Sequence, residues 1–107
     1  MKYNKLVRDK MPERIRAEGR TAETHIADDA EYWTRLKAKL AEEMGEFVRD
    51  ESVEEMADVL EVIDAVIAYK NFDRAEIQRA KEKKAEERGG FTGRIILDEA
   101  SDPVQKT

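Results

Sequence analysis

The chain has 107 residues, no cysteine, one histidine, 42% charged residues and a formal net charge of −5. That length fits one domain with a modest core, and the composition excludes disulfides, thiolate zinc sites, thiol nucleophiles and multi-histidine metal centres. The negative balance argues against a nucleic-acid-coating surface and no apolar run is long enough for a membrane span, so neither partner is expected.

In chain order, residues 3–8 read as a short extended segment. Asp9 is placed to cap a first helix, with Pro12 tolerated in its opening turn and Gly19 closing it. Residues 21–26 read as a brief strand or extended link. Asp28-Asp29 offers a cap for a long helix to about Arg49, spanning about 30 Å. Asp50-Glu51 breaks the pattern, and Ser52-x-x-Glu55 has the spacing of a capping box. The next helix runs from Val53 to about Tyr69, with Asn71 as a left-handed cap. Asp73-x-x-Glu76 opens a last helix, rich in Lys and Glu and expected on the outside, which Gly89 ends at Arg88. A flexible basic loop, Arg88-Gly89-Gly90-Phe91-Thr92-Gly93-Arg94, leads to a short buried strand candidate at 95–97. The expected fold is all-α, an antiparallel bundle of about four helices with short extended terminal segments. Residues 1–97 form the domain and 98–107 a polar, flexible tail. With no signal peptide opening at Met1-Lys2-Tyr3-Asn4-Lys5, the expected location is cytoplasmic.

Two acidic motifs carry the chemistry: Glu42-Glu43-Met44-Gly45-Glu46 and Glu54-Glu55-Met56-Ala57-Asp58. Each holds a carboxylate pair at i, i+3, Glu43 with Glu46 and Glu55 with Asp58, so each pair shares a helix face. At about 100° per residue, Glu43 falls beside the stripe of Trp33, Leu36, Leu40, Met44 and Phe47. Glu55 falls inside the stripe of Met56, Val59, Val62, Ile63 and Val66, while Glu46 and Asp58 lie at the stripe edges. The short turn forces the two helices antiparallel, which brings the motifs together. Two like charges about 5 Å apart repel by roughly 3 kcal/mol at an effective dielectric near 20. Four carboxylates in one cleft therefore either take up protons or need a cation, and hard oxygen ligands suit Mg²⁺ or Mn²⁺. A solvated acidic face is the plain alternative. If Glu55 closes the capping box, it is not free to bind metal. Glu61-x-x-Asp64 repeats the spacing, but Asp64 falls opposite Glu55 and reads as solvated surface.

Glu-Glu-x-x-Glu followed by Glu-x-x-Asp on paired helices resembles the MazG-like all-α nucleoside triphosphate pyrophosphohydrolases. The flanks, Tyr3-Asn4-Lys5-Leu6-Val7-Arg8-Asp9-Lys10 and Arg88-Gly89-Gly90-Phe91, look like the phosphoribosyl-ATP pyrophosphohydrolase-like branch. The resemblance covers residues 3–97. It implies hydrolysis of a nucleotide substrate between its α- and β-phosphates, giving a monophosphate and pyrophosphate. Carried over by motif position, Glu43, Glu46, Glu55 and Asp58 would be the Mg²⁺ ligands, with Glu42 as outer support or base. Only eight residues separate Glu46 from Glu55, which leaves less room for base recognition than in the wider group.

Leaving pyrophosphate needs cationic help. Lys39, one turn before Glu43, is a catalytic candidate, and Lys5, Arg8, Lys10, Arg88 and Arg94 are substrate-binding candidates. Gly89-Gly90 can present backbone N–H groups to phosphate, or be only a helix stop and turn. His25 reads as structural or solvent-facing. Trp33 and Phe47 belong to the core stripe, while Tyr32, at its edge, is the better candidate to stack on a base. The alternative function is a non-catalytic nucleotide-binding or helical interaction module of the same fold. A coiled-coil adaptor is disfavoured by glutamates in the seam. The wide apolar stripes of a thin, charged chain predict a homodimer or higher homo-oligomer.

Overall fold

The structure, a computed structural model, describes residues 2–103. It has four helices, α1 (Met11–Ala17), α2 (Asp29–Arg49), α3 (Val53–Lys70) and α4 (Arg74–Arg88), and no strand among the described residues. The fold is all-α, as the periodicity requires. No described helix is long and apolar enough to cross a membrane. Two units divide the chain, Met1–Phe72 and Asp73–Thr107.

In the first unit, α1 does not start from Asp9. A turn closed by Met11 N–H on the Arg8 carbonyl (3.0 Å) feeds the helix, and Lys10 is its N-cap without a side-chain bond. Pro12 sits in the opening turn, where its missing N–H would have had no partner. Gly19 ends the helix at φ +79°, a left-handed conformation that costs glycine little. Residues 20–28 that follow form a link, not a strand.

Helices α2 and α3 are the body of this unit. Asp28 accepts the Glu31 N–H at 2.8 Å and Ser52 accepts the Glu55 N–H at 3.2 Å, so both helices start on side-chain caps. Asn71 closes α3 at φ +55°. The three residues between α2 and α3 turn the chain back on itself. At the opposite end of the pair, the Tyr69 hydroxyl donates to the Asp29 carbonyl (3.2 Å), and Tyr69 stacks on Trp33 with centroids 5.2 Å apart. Tyr32 meets Tyr69 edge-on at 5.4 Å, and the ammonium groups of Lys37 and Lys70 lie 5.1 and 4.8 Å from the Trp33 ring centre. Tyr32 and Trp33 are thus engaged with the chain's own rings.

The core between the helices is thin. Leu36, Val59 and Val62 are the buried apolar residues among those described, each contributing about 1.5–3 kcal/mol. The α2 stripe differs from the expectation at one place. Met44 is 52% exposed and Glu43, beside it, is the buried residue. Met56 likewise sits at the rim of α3.

In the second unit, Asp73 caps α4 by accepting the Ala75 N–H at 2.9 Å, and Gly89 ends it at φ +81°. No residue of α4 is buried, which follows from a sequence with Lys or Glu on every face. A turn from Phe91 to Arg94, closed by Arg94 N–H on the Phe91 carbonyl, follows. Residues 95–97 correct the expectation of a buried strand. Ile95, Ile96 and Leu97 are at least 78% exposed and have no strand to pair with among the described residues. The tail expected at 98–107 has no regular secondary structure as far as Pro103, and 104–107 lie outside the described residues.

Candidate metal centre

The acidic motifs meet as their spacing predicts. One carboxylate oxygen from each of Glu43, Glu55 and Asp58 lies within 4.8 Å of the others. Glu43 comes from the second-to-last turn of α2; Glu55 and Asp58 come from the first two turns of α3. The turn at 50–52 holds these two helix ends side by side. Glu43 is only 9% exposed, and Glu55 and Asp58 are half-buried.

Glu55 resolves the tension between cap and ligand. Ser52 caps α3, but its own N–H goes to the Asp50 carbonyl (2.7 Å) and not to the Glu55 carboxylate. The capping box is half-made, and the Glu55 side chain is left to the cluster. Desolvation raises its carboxyl pKa above the ordinary value, and the charges of Asp58, Glu46, Asp50 and Glu43 push it further in the same direction. No cation pairs with Glu55 among the described residues.

Glu42, Glu43, Glu46 and Asp58 each have a counter-ion. Lys39, one turn earlier on α2, reaches Glu43 at 3.2 Å and Glu42 at 3.5 Å. Glu46, the fourth expected ligand, points to Arg49 at 2.6 Å and lies outside the group of three, though its charge still acts on Glu55. The N-terminal segment supplies the rest: Lys5 reaches Glu42 at 3.1 Å and Arg8 reaches Asp58 at 2.8 Å. The hydrogen bond from Lys5 lowers the Glu42 pKa, against an opposing desolvation and with help from Lys39. A carboxylate held low and tied to two ammonium groups is a poor proton acceptor. Of the two roles open to Glu42, outer support suits its surroundings better than general base.

Lys10 caps α1 and is not among the cations paired to the cluster. Arg88 and Arg94 belong to the second unit, where they line a concavity of about 680 Å³ with Gly90, Phe91, Gly93, Ile95 and Ile96. No carboxylate lines it, so it offers nothing to a cation. His25 pairs with Glu31 at 2.9 Å, a local contact near the start of α2 that fits its structural reading. Glu61 and Asp64 are exposed, as expected of a surface pair. The contacts Lys5–Glu42 and Arg8–Asp58 join residues 37 and 50 apart. Nothing in one sequence signals such pairings beyond the presence of basic residues.

The donor set fits a hard divalent cation. Three carboxylate oxygens from two helices approach one another, and Glu55 lacks a counter-charge. Oxygens around a six-coordinate Mg²⁺ at about 2.1 Å stand about 3–4 Å apart, so the cluster is slightly wider than a bound ion would hold it.

No protein-family model matches the chain, and no solved structure matches it. A stretch of 41 residues is 56% identical to an uncharacterised protein of Mycolicibacterium smegmatis (strain ATCC 700084 / mc(2)155). That stretch covers 38% of this chain and 42% of that protein, so the similarity spans about two-fifths of each.

Proposed function

We propose that the chain is a cytoplasmic, Mg²⁺- or Mn²⁺-dependent nucleotide pyrophosphohydrolase of the MazG-like, phosphoribosyl-ATP pyrophosphohydrolase-like kind. It would cleave a nucleoside triphosphate or related nucleotide between the α- and β-phosphates. The observation that carries this reading is the trio Glu43, Glu55 and Asp58, converging from two helices with Glu55 unpaired and crowded by like charge. These three residues would hold the cation, and Glu46 would join them on exchanging Arg49. What the ion supplies when bound is neutralisation of phosphate charge and acidification of an attacking water.

The chain's own residues do the rest. Glu43 and Glu42 hold Lys39 beside the cluster, where its ammonium can meet the charge that develops on departing pyrophosphate. Glu42 also pairs with Lys5. Water would add to the α-phosphorus, the bond from that phosphorus to the bridging oxygen would break with its electron pair leaving on pyrophosphate, and the proton of the water would pass to solvent. Lys10, a further candidate among the basic flanks, lies in the same unit as the cluster.

The test is pyrophosphate release from a panel of standard and damaged nucleoside triphosphates with Mg²⁺. On an accepted substrate, Glu43→Gln and Asp58→Asn should each lower turnover about a hundredfold or more, while Glu61→Gln leaves it near wild type. Near-normal release by both ligand variants would remove the assignment.

The same proposal takes the molecule as a homodimer. Met44 and Val48 on α2, with Val53 and Leu60 on α3, are at least half exposed. A second copy packing helix against helix would cover them and add to a core that holds three buried apolar residues.

A further inference from the structure

The N-terminal segment pairs one cation with the cluster and a second with an acid beside it, and this pairing bears on how the site is loaded. Residues 2–8 have no regular structure. From this segment, Arg8 donates to an Asp58 oxygen at 2.8 Å, and Lys5 donates to Glu42 at 3.1 Å. Asp58 is one of the three converging carboxylates; Glu42 is not. Arg8 therefore stands where a divalent cation would compete with it for the same carboxylate, and two positive charges at that distance repel. The Arg8 side chain is 57% exposed and that of Lys5 44%, so neither is locked in place by packing. A guanidinium released from Asp58 keeps a planar fork of donors matched to phosphate oxygens.

We infer that Lys5 and Arg8 are exchangeable counter-ions, pairing with Glu42 and Asp58 in the metal-free protein and turning to the phosphate chain of the ligand when a divalent cation takes Asp58. Binding of cation and of polyphosphate are then coupled in the positive sense, because each removes the partner that opposes the other. Bare metal binds against Arg8; metal with a phosphate chain binds with its help. This rests on the cluster being a cation site.

Calorimetry separates the two claims. Mn²⁺ alone is titrated into wild type, Arg8→Met, Arg8→Lys and Lys5→Met. The complex of Mn²⁺ with imidodiphosphate, which is not hydrolysed, is then titrated into each protein in Mn²⁺ buffer. Removing an exposed competing ion pair should tighten bare Mn²⁺ binding by Arg8→Met about two- to fivefold. Loss of a charge-assisted bond should weaken its binding of the imidodiphosphate complex about tenfold or more. Arg8→Lys should return both values toward wild type. Lys5→Met should leave bare Mn²⁺ binding nearly unchanged and weaken only the imidodiphosphate complex, since Glu42 stands outside the trio. Equal Mn²⁺ affinity in wild type and Arg8→Met, or weakening of both ligands by Arg8→Met, overturns the exchange while leaving the cation site standing. Absence of Mn²⁺ binding by the wild type overturns the cation site and the exchange with it.

Discussion

The two flanks of the α2–α3 pair are built on one helical period and end in opposite chemistry. Counted at about 100° per residue from Leu36, Glu43 and Glu46 fall about 20° and 80° to one side of α2. Met44 and Val48 fall about 80° and 120° to the other side by the same count. On α3, counted from Val59, Glu55 and Asp58 fall about 40° and 100° to the first side, Leu60 and Val53 about 100° and 120° to the second. Because the helices are antiparallel and face each other, equal senses of rotation land on the same flank. The acidic flank finds most of its counter-charges within the chain, from Lys5, Arg8, Lys39 and Arg49. The apolar flank leaves Val48 74% and Val53 82% exposed. Charge can be met by long side chains reaching in; apolar area can be met only by another surface.

The largest effect is expected from loading the acidic flank. A ligand that binds only the folded state adds about 2.7 kcal/mol at a hundred times its dissociation constant. Melting curves in excess Mn²⁺ should show wild type gaining stability of that order, and Glu55→Gln should lose most of the gain. Without metal, Glu55→Gln should be at least as stable as wild type, because it removes a charge that four neighbouring carboxylates oppose. Identical midpoints with and without Mn²⁺ would make this flank an ordinary acidic surface, and the contrast between the flanks would shrink to one of charge.

The apolar flank breaks differently. Leu60→Glu with Val48→Glu places two charges where the second copy would pack, against about 1.5–3 kcal/mol for each apolar side chain buried there. Light scattering should read two chains for wild type and one for the variant, with helical content unchanged. A wild type that scatters as a single 12.4 kDa chain at micromolar concentration would leave this flank without the partner assigned to it.

Much of this division was legible in the sequence, and the exceptions have physical reasons. The caps at Asp28, Ser52, Asn71 and Asp73 and the stop at Gly89 were readable because each acts within four residues. The convergence of Glu43, Glu55 and Asp58 was readable because a short turn leaves two helices one arrangement. The strand expected at 95–97 is absent, since apolar residues such as Ile95, Ile96 and Leu97 report a tendency to be buried and not the presence of a neighbour. Asp9 has the residue type of a cap, whereas a turn at Arg8–Met11 starts α1. Met44 and Glu43 are adjacent in sequence and about 100° apart around the helix, and a stripe drawn by hydropathy assigns the methionine inward. The observed burial of Glu43, beside Lys39, depends on where α3 sits. The partners of Lys5 and Arg8 were invisible for the same reason: they depend on how an irregular segment lies against the helices.

A smaller effect separates capping from clustering at the start of α3. Ser52→Ala removes the acceptor of the Glu55 N–H and should cost about 1 kcal/mol. Urea denaturation would read it as a lower midpoint with unchanged slope. The Mn²⁺-induced gain in stability should persist in this variant, because the Glu55 carboxylate makes no bond to Ser52. Loss of that gain in Ser52→Ala would mean that the capping box, not the cluster, sets the position of Glu55.

The smallest effect is the acid limb of the stability curve, where two glutamates one helix apart have opposite signs. Glu55 has its pKa raised by desolvation and like charge, so in the folded chain it takes up a proton at a higher pH than in the unfolded chain. Its penalty is present above that range and is relieved as the pH falls, fully so once the pH is below the unfolded value. Glu42 has its pKa lowered by Lys5, so it contributes stability above the unfolded value and loses it as the pH falls through the folded one. Melting temperatures of metal-free wild type, Glu55→Gln and Glu42→Gln, taken from neutral pH downward at low salt, isolate each group as a difference curve. The Glu55 difference should move in favour of wild type on approaching the carboxylate range, and the Glu42 difference should move against wild type below it. Moderate salt should flatten both, since these side chains are reached by solvent. A Glu55 difference that does not change with pH would mean that the carboxylates on the two helices do not crowd one another, and the acidic flank would lose its claim on a cation.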